Sequence, residues 1–234
     1  MNVKDLKVCF KQYGAERTGT NYLKLLVERN IENSLVFPSV FGWKHAVPIN
    51  HQDWLKRADK GNVVMSVDAR TPLPYTAEFL QGVLDKGLIY LVNVKDPYAS
   101  LASFKRFQSK HPWDEKSIRA WCQRWNRRYA AWLKLAEEKP GVVIRYEDLN
   151  ENAEAQIAKI ADKFGLTRKA QFEDEKNVVN PGSDWRVPVA SRKFDPTLYS
   201  QRRYLKELDP QQLRWATQMI DWRVMEPLGY KPVS

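Results

Sequence analysis

Short apolar runs of strand length alternate along the chain with stretches whose apolar residues recur every three to four positions. Val8 to Tyr13, Ser34 to Phe37, Val63 to Val67, Leu88 to Val94 and Val142 to Ile144 read as strands. Thr20 to Arg29, Gln52 to Lys60, Pro74 to Lys86, Tyr98 to Arg106, Ser117 to Glu138 and Ala153 to Phe164 read as helices. A last amphipathic helix is expected from about Pro210 to Met225, ending before Pro227 and Gly229. Strands that alternate with helices predict βαβ units, and hence an α/β fold with a parallel sheet flanked by helices on both faces. Residues 176 to 203, KNVVNPGSDWRVPVASRKFDPTLYSQRR, break this rhythm with turn formers and basic residues and read as a long loop.

The chain has 234 residues, 43% of them hydrophobic, enough for one sizeable core, and residues 1 to 234 read as a single domain. Lys and Arg number 38 against 28 Asp and Glu, a formal +10, so the protein's field attracts anions. Cys9 and Cys122 are the two cysteines, which offers neither a disulfide framework nor a cysteine-rich metal site and fits a reducing compartment. No run approaches the roughly 18 apolar residues of a membrane span. The N-terminus enters a strand pattern at once, with no room for a signal peptide, so a soluble, cytoplasmic protein is expected.

Parallel sheets bind ligands at the carboxyl ends of their strands, where two segments are chemically unusual. After the first strand, GAERTGTNY at residues 14 to 22 sets Gly14 and Gly19 at the spacing of a phosphate-binding loop leading into a helix. A nucleotide hydrolase would follow Gly19 with Lys and then Ser or Thr. Here Thr20 and Asn21 stand in those places, which disfavours magnesium-assisted ATP or GTP chemistry. Arg17, inside the loop, puts a cation within reach of the bound anion.

This arrangement resembles the 5′-phosphosulfate loop of sulfotransferases, matched position by position at Arg17, Thr18, Gly19, Thr20, Asn21 and Tyr22. In LIYLVNVKDPYASLASF, residues 88 to 104, the strand ends at Lys95-Asp96-Pro97 and Ser103 follows Lys95 by eight positions. That resembles the 3′-phosphate site of the same family, with lysine in place of the usual arginine: the charge is kept and the bidentate fork is lost. VVIRYEDLNEN, residues 142 to 152, is similar to the family's strand ending in Tyr-Glu-Asp-Leu, for which a structural role is expected.

The resemblance implies a P-loop nucleotide kinase-like sulfotransferase fold. It also implies transfer of the sulfuryl group of 3′-phosphoadenosine 5′-phosphosulfate (PAPS), in line, onto a hydroxyl or amine, releasing adenosine 3′,5′-bisphosphate. The acceptor class stays open among small molecules, glycans and peptides, and no metal is expected. Family members use a His or a Glu as base, so the three histidines are the first places to look. His45, in VFGWKHAVP after the second strand, is the first choice, with Lys44 holding it neutral or contacting the bridging oxygen. His51 reads as a cap of the helix after Pro48, and His111 precedes a helix start. Asp68 is the runner-up base, since Leu73-Pro74 follows it where the family places a His ahead of Leu-Pro. Arg192 and Lys193 are candidates to clamp the 3′-phosphate, and Trp185 to stack on a ring.

Two other classes remain open. A P-loop nucleotide or small-molecule kinase shares the fold and the loop. A basic nucleic-acid-binding domain would use the charge and the helix that carries Trp121, Trp125 and Trp132 among Arg119, Arg124, Arg127 and Arg128. That tryptophan stripe at helical spacing reads rather as core with a solvated basic face, and no nucleic-acid motif accompanies it.

Overall fold

A computed structural model describes residues 3–59, 75–174 and 197–233. Among them four strands, β1 (Val8–Gly14), β2 (Ser34–Phe37), β3 (Ile89–Val94) and β4 (Gly141–Arg145), form one parallel sheet in the order β2-β1-β3-β4. Phe10 lies opposite both Val36 and Ile89, which places β1 in the interior of the sheet. All seven residues of β1 are buried, as an interior parallel strand covered on both faces requires. The strand expected at 63–67 lies outside the described residues, as do Asp68, Leu73-Pro74, Trp185, Arg192 and Lys193.

Among the described residues ten α-helices surround the sheet: α1 (Thr20–Asn30), α2 (His51–Asp59), α3 (Ala77–Lys86), α4 (Pro97–Phe107), α5 (Glu115–Glu138), α6 (Tyr146–Glu151), α7 (Ala153–Phe164), α8 (Thr197–Ser200), α9 (Pro210–Met219) and α10 (Trp222–Met225). On one face Phe10, Leu91 and Ile144 pack against α1 and α7 through Leu23, Leu26, Ile157 and Ile160. On the other, Tyr13, Val92 and Val94 meet Trp125, Tyr129 and Trp132 of α5, with α9 and α10 closing that layer. The tryptophan stripe is therefore core, and Arg119, Arg124 and Arg127 stand exposed on the opposite side of α5. A third cluster joins Cys9 and Phe37 to Trp54, Leu80 and Val83 of α2 and α3.

Three local readings are corrected. The expected helix from 210 to 225 breaks at Ile220, whose backbone is extended, and Asp221 caps a new turn. Asn126 of α5 compensates the break, since its amide donates to Met219 O and its Oδ1 accepts from Asp221 N. His51 does not cap α2: Asn50 does, accepting from the N–H groups of Gln52 and Asp53, and His51 packs instead between Phe41 and Tyr90. The loop expected through 203 becomes helical at Thr197–Ser200.

β2 and β3 flank β1 on opposite sides, so the strand order reverses at the β1/β3 boundary. Such a switch point opens a crevice outside the carboxyl ends of the two strands. Both unusual segments of the sequence leave the sheet there. Among the described residues no helix is long and apolar enough to cross a membrane.

Candidate anion-binding site at the switch point

Below the crevice, Gln12 of β1 sends its amide to Thr20 O at 2.7 Å and to Asn93 Oδ1 of β3 at 3.1 Å. These bonds tie the two strand ends to the base of the loop. Gly19 caps α1 from the left-handed region at φ 81°, supplying no side-chain acceptor for the first N–H groups of the helix. Arg17 is also left-handed, at φ 67°, an uncommon conformation for a residue with a side chain. Thr18 is fully buried and its hydroxyl donates to Ala15 O at 2.7 Å, so this side chain shapes the turn and leaves its backbone for a ligand. The result is a helix N-terminus with a cation in the preceding turn, a combination suited to a tetrahedral anion.

Lys95 follows β3 and is 4% exposed. Its ammonium donates to Arg17 O at 3.3 Å and stands over the rings of Tyr146, at 4.7 Å, and Tyr199, at 5.3 Å. Burial pushes its pKa down to about 8, with Arg106 and Arg17 acting in the same sense and Glu147 and Asp96 opposing. Ser103 is buried on α4, and Arg106 and Phe107 follow it at the three- and four-residue spacings that share a helix face. The Arg17 guanidinium lies 5.3 Å above the Phe107 ring. Arg17 and Lys95 thus set two cations beside the loop, where an incoming dianion would meet opposite charge, while Arg106, near enough to depress Lys95, is ion-paired with Glu207.

The turn that carries Lys95 is clamped from α6. Glu147 accepts from Asp96 N at 2.8 Å and from the Tyr230 hydroxyl at 2.7 Å, and Asp96 caps α4 through Tyr98 N and Ala99 N. Burial raises the Glu147 carboxyl above its ordinary range. The Tyr-Glu-Asp-Leu segment is helix rather than strand end, and its first two residues build the site.

The third component arrives from the segment after β2. Gly14 N donates to Lys44 O at 3.0 Å, and Lys44 Nζ donates to Asn21 Oδ1. A cation therefore reaches the loop from another segment, beside Thr20, where a P-loop hydrolase would carry its own lysine. His45, 9% exposed, is hydrogen-bonded through Nδ1 to Gly14 O. A carbonyl can only accept, so Nδ1 bears the proton and Nε2 is left as the basic nitrogen. Burial lowers the imidazole pKa to about 4, helped by Lys44; Glu16, ion-paired with Arg128 at 2.7 Å, opposes the shift.

The structure thus brings together Arg17, Thr18, Gly19, Thr20, Asn21, Lys44, His45, Lys95 and the α4 face with Ser103. Tyr22 packs into the α1/α7 core, and its hydroxyl donates to Asp174 Oδ1. Sequence reading missed Tyr146, Glu147, Tyr199 and Arg106; for the first two the signal was the Tyr-Glu-Asp-Leu segment itself. Among the described residues no group of three or more His, Cys, Asp or Glu side chains is placed to hold a metal ion. No protein-family model matches the chain, and no curated protein matches it.

Proposed function

We propose that the protein is a PAPS-dependent sulfotransferase. The observation that carries this reading is the meeting, at one switch point, of the Arg17-to-Asn21 loop and Lys95, two cationic sites at the ends of adjacent strands. One helix N-terminus serves a single phosphate, whereas PAPS presents a 5′-phosphosulfate and a 3′-phosphate. In this reading the loop N–H groups and Arg17 hold the first, and Lys95 with Ser103 holds the second.

In the transfer the acceptor oxygen or nitrogen forms a bond to sulfur as the bond from sulfur to the phosphate oxygen breaks, and the acceptor proton leaves to a base. His45 Nε2 is the group assigned to take it: the ring is neutral at physiological pH, and its pKa of about 4 makes it a weaker base than a free imidazole. Charge grows on the departing 5′-phosphate. Arg17, Lys44 and the N–H groups at the α1 end therefore stabilise the transition state more than the ground state. Positioning and charge account for the catalysis, as in phosphoryl transfer.

Calorimetric titration with adenosine 3′,5′-bisphosphate, ATP and AMP tests it. Binding of the bisphosphate without magnesium, at least tenfold tighter than AMP, is expected from a second phosphate contact. ATP binding that requires magnesium, with no bisphosphate binding, would replace the proposal with a P-loop kinase in which Lys44 substitutes for the missing loop lysine.

A further inference from the structure

Lys11 occupies the middle of β1 and is fully buried, at a place where an interior strand ordinarily carries an apolar side chain. Its Nζ lies within hydrogen-bond reach of three backbone carbonyls, Phe37 O at 3.3 Å, Pro38 O at 3.3 Å and Gly42 O at 2.5 Å, while burial and then Lys44 push its pKa well below the ordinary lysine range. These carbonyls bracket the turn that leaves β2, where the sheet ladder no longer supplies donors. The turn itself is strained. Phe41 sits at φ 61°, a disfavoured conformation for a bulky residue, and Gly42 follows at φ 101°. The Phe41 ring is buried against Phe37, Trp54 and His51.

Beyond this turn the chain runs straight into Trp43, Lys44 and His45. The Trp43 ring meets the imidazole edge-on at 4.9 Å, Gly14 N holds Lys44 O, and Trp132 Nε1 donates to Ala46 O at 2.9 Å. The segment is thus fastened to β1 at both ends, by Lys11 where it starts and by Gly14 where it delivers His45.

We infer that Lys11 is a positioning residue for His45: by clamping the strained 37–42 turn it fixes the segment that aims the imidazole at the Gly14 carbonyl. Its bearing on catalysis rests on the sulfotransferase reading; its bearing on the geometry does not. Lys11 acts through the turn and is not assigned a contact with donor or acceptor. A hydrophobic side chain of similar length would leave three carbonyls without their donor and let the left-handed pair relax.

Nitrogen-15 labelling of histidine provides a direct readout, because the chain contains three histidines. In the wild-type protein the His45 Nδ1–H should appear as a slowly exchanging, low-field proton on an Nδ1-protonated ring. In Lys11→Met, held below its own unfolding temperature, exchange of that proton should accelerate at least tenfold or the resonance vanish. Lys11→Gln, which keeps a shorter donor, should be intermediate and decides the matter if the Met variant does not fold. A folded variant with an unchanged His45 signal overturns the inference and leaves Lys11 a stability residue. Failure of the wild-type protein to bind the bisphosphate would count against the sulfotransferase reading alone, since the histidine spectrum judges the clamp independently.

Discussion

A Cβ placed on Gly19 would stand 2.3 Å from two ring carbons of Tyr146, so the loop residue and the first residue of α6 are in contact with no room for a methyl group. Gly19 also holds φ 81°, which a side chain disfavours. Gly19→Ala therefore combines a left-handed penalty of about 1–2 kcal/mol with an overpacking cost of about 1–3 kcal/mol. In a chain of this size each kcal/mol lowers the melting midpoint by roughly 2–4 °C. In a Tyr146→Ala background the overlap is gone and the backbone penalty alone should remain. A double-mutant cycle by thermal unfolding measures the difference, and equal penalties in both backgrounds would show that the ring does not confine the loop.

In the proposed reading, Lys95 should couple phosphate affinity to pH. Its pKa is depressed in the folded protein, to about 8, relative to the ordinary 10.5 of an unfolded chain. Between those values the unfolded state holds more protons, so the Lys95 contribution to stability of the free protein rises with pH through that window. A bound phosphate favours the ammonium, so affinity for the bisphosphate should fall as pH climbs past about 8, and binding at pH 8 should take up a fraction of a proton. Calorimetry in buffers of different ionisation enthalpy reads that uptake. Lys95→Met should abolish it and remove the preference for adenosine 3′,5′-bisphosphate over AMP.

Acid should destabilise the protein through two histidines. Burial lowers the pKa of His45 and of His51 to about 4, with Lys44 adding to the first and Lys11 to the second. Below the ordinary 6.5 the unfolded chain takes up protons that these folded rings refuse. Their stabilising contribution is complete above pH 6.5 and is lost progressively as pH falls toward 4. Denaturant titrations at pH 7, 6 and 5 should show the midpoint falling, and His51→Phe should reduce the slope by one histidine's share. His45→Gln should cut sulfuryl transfer by about 10²–10⁴-fold with bisphosphate affinity within twofold. A smaller effect moves the base elsewhere.

Trp132 joins the core to the site, since its indole N–H reaches Ala46 O while its ring is fully buried beside Tyr13 and Tyr129. Trp132→Phe should cost about 1–3 kcal/mol by removing the donor to the part-buried Ala46 carbonyl and leaving core volume unfilled. Hydrogen exchange should then quicken at the Gly14 amide, which donates to Lys44 O, before the rest of β1. Uniform loss of protection across the strand would mean that Trp132 supports the core alone.

Strands and helices were legible because each carries its own period. Ser34–Phe37 and Ala153–Phe164 have the boundaries the pattern indicated, the other expected elements up to Ala153 that lie among the described residues shift by up to three residues at their ends, and α6 and α8 had no expected counterpart. The break at Ile220 was not legible: the apolar period continues across it, and the compensating bonds come from Asn126, far away in the chain. His51 read as a cap because it follows Pro48 at a helix start, and only the direction of the side chains gives that role to Asn50. Lys11 gave no signal, since a lysine in an apolar run ordinarily marks an exposed position.

The sequence by itself determined the α/β class, the glycine-bounded loop with Arg17 between β1 and α1, and the cationic strand end at Lys95, because period, glycine spacing and charge are local properties. Only the tertiary structure decided that β1 and β3 are neighbours, so that the loop and Lys95 meet. It also decided that Lys44 reaches Asn21, that Tyr146 closes under Gly19, and that His45 protonates at Nδ1 against Gly14. Those relationships join residues many positions apart, and strand order and packing, which no local pattern encodes, bring them within hydrogen-bond reach.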